Sequence, residues 1–217
     1  MKSIVFLLCI ALFGGCLTTN YVKNFDYKIS SIEKNGSKER STDAMFYEDS
    51  IIQISWYPSK TSFLFTLINK SDRSFQVIWD EAVMVTTTGE SKKIFHSGVK
   101  YIDAEKSQAP TTLIKGSSIS DLIIPSSNVN FSNGNWNERE FFYIKSSVHK
   151  SVIEAESSKY IGSIMSISLP IKQGDVKTEY VFDFKIKDAI IKKKANSKSI
   201  SWIIVGLAAI IALTNIH

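Results

Sequence analysis

The sequence predicts an all-β chain folded as an antiparallel β-sandwich. Three observations predict it: apolar and polar residues alternate with a period of two in run after run, turn chemistry separates the runs, and no long stretch repeats with a helical period. In the first clear run Ile52, Ile54 and Trp56 alternate with polar neighbours. In the next, Phe63, Phe65 and Leu67 share one face while Leu64, Thr66 and Ile68 share the other, and the polar quartet 69–72 supplies a turn. Residues 75–85 read as a further strand or pair with Val77 and Trp79 on one side, and residues 88–90 turn the chain back into 93–95. Further strands are expected at 112–114, at 119–124 up to Pro125, at 141–144 and at 161–169. Over 180–186, Tyr180, Phe182, Phe184 and Ile186 face one way, against Val181, Asp183, Lys185 and Lys187. A period of two marks one buried and one wet face. A helical turn or two is expected only within 148–159.

The ends of the chain carry a different message. Lys2, an apolar run from Ile4 to Phe13, Gly14, Gly15 and Cys16 have the order of an export signal. The run ends well short of the roughly 20 apolar residues that a membrane span needs. The segment LFGGC at 12–16 resembles the lipobox of bacterial lipoproteins, with one departure: Phe13 stands where an aliphatic residue is usual. That resemblance implies a signal peptide over 1–15 and a lipid, palmitate among its acyl chains, on Cys16. Cys9 and Cys16 are the only cysteines, so a chain cut at Cys16 keeps no thiol pair and needs none to staple a core of this size.

At the other end, residues 200–216 form an uncharged apolar run opening near Trp202, preceded by Lys192, Lys193, Lys194 and Lys198. A transmembrane helix is expected there, with the lysines and Trp202 at the membrane surface. If the signal exports the middle of the chain, this collar lies on the exported side, against the positive-inside bias. The organisation expected is therefore a signal at 1–15, a flexible tether at 16–45, a sandwich domain at 46–188, a basic juxtamembrane segment at 189–199 and a transmembrane helix at 200–216. A short strand at 26–32 is allowed within the tether.

The run FLFTLINKSDRSFQVIWDEAVMVTTTGE, residues 63–90, resembles strands of immunoglobulin-like domains in its layout of apolar strand, Asn-x-Ser turn, apolar strand and hairpin. That resemblance implies an immunoglobulin-like sandwich and leaves function open.

Chemistry is sparse. His96 is the most interesting histidine, and Asp80, Glu81, Asp103 and Asp121 are the acids that could meet it. The chain has no H-E-x-x-H pair, no G-x-S-x-G elbow and no phosphate-binding glycine loop, so no catalytic residue, metal site or cofactor is expected. Trp79 is expected to pack the core. The stretch VNFSNGNW at 129–136 is read as a mobile loop with aromatic ends, and Phe131, Asn133 and Trp136 are its candidate contact residues. Two readings stay open for it: it binds a partner or a sugar, or its aromatics cover the core. A formal net charge of +5, spread widely outside the lysine collar, gives no basic face for nucleic acid.

The expectation is a membrane-anchored, non-enzymatic envelope lipoprotein, with membrane lipid and an envelope protein as partners. Its sandwich would serve protein interaction or assembly of an envelope complex. One alternative is a surface glycan- or ligand-binding module. Another is an unrecognised enzyme or hydrolase accessory subunit that uses His96, which requires His96 within hydrogen-bond reach of Asp80, Asp103 or Asp121.

Overall fold

The computed structural model describes residues 19–39 and 44–195. Cys16, the signal at 1–15, Lys198, Trp202 and the apolar tail at 200–216 lie outside the described residues. The strands are β1 (Thr19–Lys34), β2 (Ser37–Lys38), β3 (Phe46–Glu48), β4 (Ile52–Pro58), β5 (Phe63–Asn69), β6 (Phe75–Val77), β7 (Val83–Val85), β8 (Ser91–His96), β9 (Thr111–Leu113), β10 (Ser118–Pro125), β11 (Val129–Ser132), β12 (Asn135–Glu138), β13 (Ile164–Gln173) and β14 (Val176–Ala195). One helix, α1 (Lys150–Ser158), and short 3-10 turns at Trp79–Glu81, Tyr101–Asp103 and Ser126–Asn128 complete the described chain. Strand makes up 56% of the described residues, which places the protein in the all-β class.

The chain divides into two compact units. In the larger, Phe25–Tyr143 with Ser158–Ile190, the hydrogen-bonded strand order is β2-β1-β14-β13-β7-β8-β10-β5-β4-β3, with β6 added to β13 and β9 to β6. The ladders from β14 to β3 along this path are antiparallel. Strand β8 lets the sheet fold over itself: Ser91 to Lys93 pair with β7, and Ile94 to His96 pair with β10. The sheet therefore becomes two facing layers joined at β8. Rings close the space between them, with Trp56 of β4 5.3 Å from Phe182 and 5.2 Å from Phe184 of β14, and Phe63 of β5 4.7 Å from Phe184.

The alternation in β5 and β14 holds. Phe63, Phe65 and Leu67 are buried, as are Tyr180, Phe182, Phe184 and Ile186, while Leu64 is 41% exposed. Each fully buried ring or branched chain contributes about 1.5–3 kcal/mol from water exclusion. Trp79 is also fully buried, in a 3-10 turn rather than in a strand.

Three expectations are corrected. The tether expected at 16–45 is strand over Thr19–Lys34, and Tyr27, Ile29 and Ile32 join the core, so the folded region starts well before residue 46. The buried positions change phase between Ile29 and Ile32, which weakens the period-two signal that would otherwise announce the strand. The strand expected at 141–144 is irregular backbone: Phe142 is buried edge-on against Phe25 at 5.2 Å, and Phe141 N donates to Lys60 O at 2.9 Å. The segment expected as a collar at 189–199 is still strand as far as Ala195.

In the smaller unit, Tyr21 and Ser147 form an antiparallel bridge, and Ile153 and Ser157 are the buried residues of α1. Lys150 and Glu154 pair across one turn of that helix at 2.7 Å, an i,i+4 contact.

Asp49, between β3 and β4, ties the rim of the core together. Its Oδ1 accepts from the backbone of Ile51 at 2.7 Å and Ile52 at 2.8 Å, while Oδ2 accepts from Tyr180 at 2.8 Å and Lys34 at 2.5 Å. Burial alone would raise the carboxyl's pKa, but the bonds from Lys34, Ile52, Ile51 and Tyr180 outweigh it and hold the pKa below the ordinary 3.8. Burial and the bond to Asp49 push the Tyr180 hydroxyl well above its usual range.

Two outcomes follow for stability. Ile32→Ala is expected to cost about 2–5 kcal/mol in denaturant unfolding, as for any fully buried isoleucine, whereas a residue in a tether would cost nothing measurable. Because Asp49 binds its proton less readily when folded, its contribution is complete above 3.8 and is lost as pH falls through its lower native value. Asp49→Asn should therefore lose about 1.5–3 kcal/mol near neutrality and give a flatter acid-unfolding profile than the parent, measured by urea titration at a series of pH values.

Candidate functional site

Two clusters in the larger unit carry the residues singled out in the sequence. The first is a two-stranded sheet of its own, β11 against β12, with Phe131 opposite Trp136 and Asn130 opposite Asn137. It is a hairpin rather than the mobile loop expected at 129–136. Asn133 and Gly134 sit at its tip with φ of 51° and 75°, the positive values that a two-residue type I′ turn demands. The Asn–Gly dipeptide between alternating residues was the sequence signal for it.

Register sorts the hairpin into two faces. Val129, Phe131, Trp136 and Glu138 share one, and Asn130, Ser132, Asn135 and Asn137 share the other. The aromatic face is open to solvent: Phe131 is 62% exposed and Trp136 41% exposed. Their rings lie 5.5 Å apart, and Tyr101, from a separate segment, meets Trp136 edge-on at 5.7 Å. Neighbouring Ile102 is also exposed. Of the two readings open for these aromatics, covering the core is not what Phe131 and Trp136 do.

The base of the hairpin is fastened to the layers beneath. Glu138 accepts from Tyr101 at Oε1 and from Thr61 at Oε2, the latter at 2.6 Å, and Arg139 N donates to Asn128 O at 2.7 Å. The hydrogen bond to Glu138, followed by burial, pushes the Tyr101 hydroxyl up to about 12, so it remains a neutral donor. Below, Val129 and Tyr101 pack on a small second core of Phe95, Ala104 and Ile124. Tyr101, Glu138 and Thr61 were not legible as site residues, because a tyrosine, a glutamate and a threonine so far apart in sequence carry no joint signal.

The second cluster centres on His96 at the end of β8. Its Nδ1 lies 3.0 Å from Asp121 Oδ2, and its ring stacks on Trp79 at 4.2 Å with an interplanar angle of 11°. The contact that the catalytic alternative requires is thus present with Asp121. Asp121 Oδ1 accepts from Ser97 N at 2.8 Å and Leu122 N at 2.7 Å. Burial opposes ionisation of Asp121, but the bonds from His96, Ser97 and Leu122 hold its carboxyl below the usual value. Asp80 and Asp103 do not join this pair: Asp80 accepts from Ser107 and from Gln108 N, and Asp103 pairs with Lys106 at 2.7 Å. Among the described residues no hydroxyl or thiol hydrogen-bonds His96 Nε2, so the pair orients an imidazole without a nucleophile attached to it. An open groove of about 270 Å³, lined by Tyr57, Leu64, Thr66, Ser97, Ser120 and Asp121, runs beside the pair.

Of the remaining predicted residues, Lys192, Lys193 and Lys194 are exposed on β14. Among the described residues no helix is long and apolar enough to cross a membrane, and no three His, Cys, Asp or Glu side chains gather to hold a metal ion. No protein-family model matches the chain, and no curated protein or solved structure matches it either.

Removing the fastening should loosen the hairpin alone. The double variant Thr61→Ala, Tyr101→Phe takes both side-chain donors from Glu138, worth about 0.5–1.5 kcal/mol each. Amide exchange over residues 129–138 is expected to accelerate while exchange in β13 and β14 stays at the parent rate.

Proposed function

We propose that this protein is a membrane-anchored, non-enzymatic binding protein of the cell envelope, which presents the β11–β12 hairpin to a protein partner. The observation that carries the reading is the exposure of Phe131 and Trp136 side by side on a hairpin whose base is fixed by Glu138. Folding normally removes such rings from water, and exposed aromatics on a rigid support are the residue type that anchors protein interfaces. The anchoring half of the proposal rests on the sequence: the lipobox-like segment ending at Cys16, and the apolar run at 200–216 behind Lys192, Lys193, Lys194 and Lys198. Facing antiparallel layers are what supports an immunoglobulin-like arrangement within the all-β class.

A second reading, a glycan-binding module, is favoured by the convergence of Tyr101 on the Phe131–Trp136 pair, since sugars stack on grouped aromatic rings. The amide side chains of Asn130 and Asn137 lie on the opposite face of the hairpin, where they cannot serve a sugar held against those rings. That separation is the reason for placing protein recognition first. The catalytic reading is supported by the His96–Asp121 contact and lacks a nucleophile at Nε2.

Anchoring is tested by metabolic labelling with a palmitate analogue: label is expected on the parent and absent from Cys16→Ala, and label persisting in the variant would defeat the lipoprotein assignment. Recognition is tested with a photo-crosslinking amino acid placed in cells at Trp136, at Phe131 or at the exposed control position Lys115. Discrete adducts sensitive to protease are expected at 136 and 131 only. Adducts equal at all three positions, or adducts removed by glycosidases instead, would overturn the protein-partner reading.

A further inference from the structure

The chain holds two Asn–Gly turns of the same hand. Asn35 and Gly36 join β1 to β2 with φ of 51° and 74°, and Asn133 and Gly134 join β11 to β12 with φ of 51° and 75°. Backbone shape is thus shared, but the asparagine side chains are held differently. Asn35 Oδ1 accepts from Glu179 N at 2.9 Å, and Asn35 N donates to Glu179 O at 2.9 Å, so β14 clamps that residue twice. The Asn133 amide has no hydrogen-bond partner among the described residues, and Gly134 N donates to none.

The two turns also differ in their support. The β11–β12 ladder is a two-stranded sheet whose side chains from Asn130 to Glu138 are all exposed. The tip of such a hairpin, beyond the base fastened at Glu138, opens locally at little free-energy cost, because few buried contacts are lost there.

We propose that Asn133 is a site of spontaneous covalent modification, with water as the only reactant besides the chain. In the opened turn the Gly134 nitrogen gives its proton to solvent base and attacks Cγ of Asn133. A nitrogen–carbon bond forms, the bond from Cγ to the side-chain nitrogen breaks, and that nitrogen leaves as ammonia after taking a proton from water. The product is a five-membered succinimide. Water then adds to one of its two ring carbonyls and opens it, to aspartate or to isoaspartate, and nothing is oxidised or reduced. Glycine makes the attack accessible: its nitrogen is shielded by no side chain, and a Cβ placed on Gly134 would meet nothing within 4 Å.

Both products alter the tip. Aspartate adds a negative charge beside the exposed rings, and isoaspartate lengthens the turn by one backbone carbon and disturbs the pairing of Ser132 with Asn135. An effect on partner recognition rests on the function proposed above; the modification does not.

The experiment follows the folded full-length chain in mildly alkaline buffer over time, with proteolysis and mass spectrometry, isoaspartate being separated from aspartate by retention. Conversion at Asn133 is expected about tenfold faster than at Asn35, the equivalent of about 1.4 kcal/mol of extra protection at the clamped turn. In denaturant the two rates should converge, since the clamp on Asn35 is then gone. Equal rates in the folded chain, or faster conversion at Asn35, would overturn the proposal. The readout is mass alone, so this result and the crosslinking result stand or fall separately.

Discussion

The contact of Trp56 and Phe63 with Phe182 and Phe184 is the constraint on which the rest of the larger unit depends. Strands β4 and β5 pair with each other, but β14 is a neighbour of neither, so its rings reach theirs only because the sheet doubles back. Doubling back requires β8 to leave β7 and join β10 partway along its length. The ring layer and the shared strand therefore imply one another. Trp56 Nε1 sits inside this layer without a hydrogen-bond partner among the described residues, a cost of about 1–3 kcal/mol that the surrounding aromatic burial outweighs. At the edge of the layer, Asp49 joins Lys34 of β1, Tyr180 of β14 and the start of β4, so the aromatic core is closed by a charged bond at its rim.

The same strand that folds the sheet also builds the candidate site. Beyond the switch in β8, Phe95 enters the small second core on which Tyr101 and Val129 rest, and His96 reaches Asp121 over the face of Trp79. The hairpin thus projects from a base fixed by packing and by Glu138, while its own rings stay in water. A rigid base presenting exposed rings loses little conformational entropy on binding, which is why such an arrangement favours recognition. The His96–Asp121 pair, with both carboxylate oxygens engaged and the ring stacked on Trp79, has the character of a clamp between β8 and β10.

Legibility in the sequence followed the strength of the period. Strands β4, β5 and β14 were readable because each buries one face and wets the other, so every second residue reports the core. Strand β1 was obscured by its change of phase between Ile29 and Ile32, and by flanking residues polar enough to suggest a tether. Residues 141–144 erred in the other direction: their aromatic content suggested a strand, yet Phe142 is buried by irregular backbone between Phe25 and Tyr160. Phe131, Asn133 and Trp136 were readable as candidates from composition, but their division between an aromatic and an amide face follows from cross-strand register.

The all-β class and the inward rows of the strongly alternating strands were set by the sequence alone, because each is encoded within a few consecutive residues. Tertiary structure decided that β1 belongs to the core, that His96 meets Asp121 rather than Asp80 or Asp103, that Tyr101 and Thr61 fasten Glu138, and that Phe131 and Trp136 remain outside. Those outcomes pair residues tens of positions apart. No local pattern records them, and only the folding of the sheet at β8 brings the partners together.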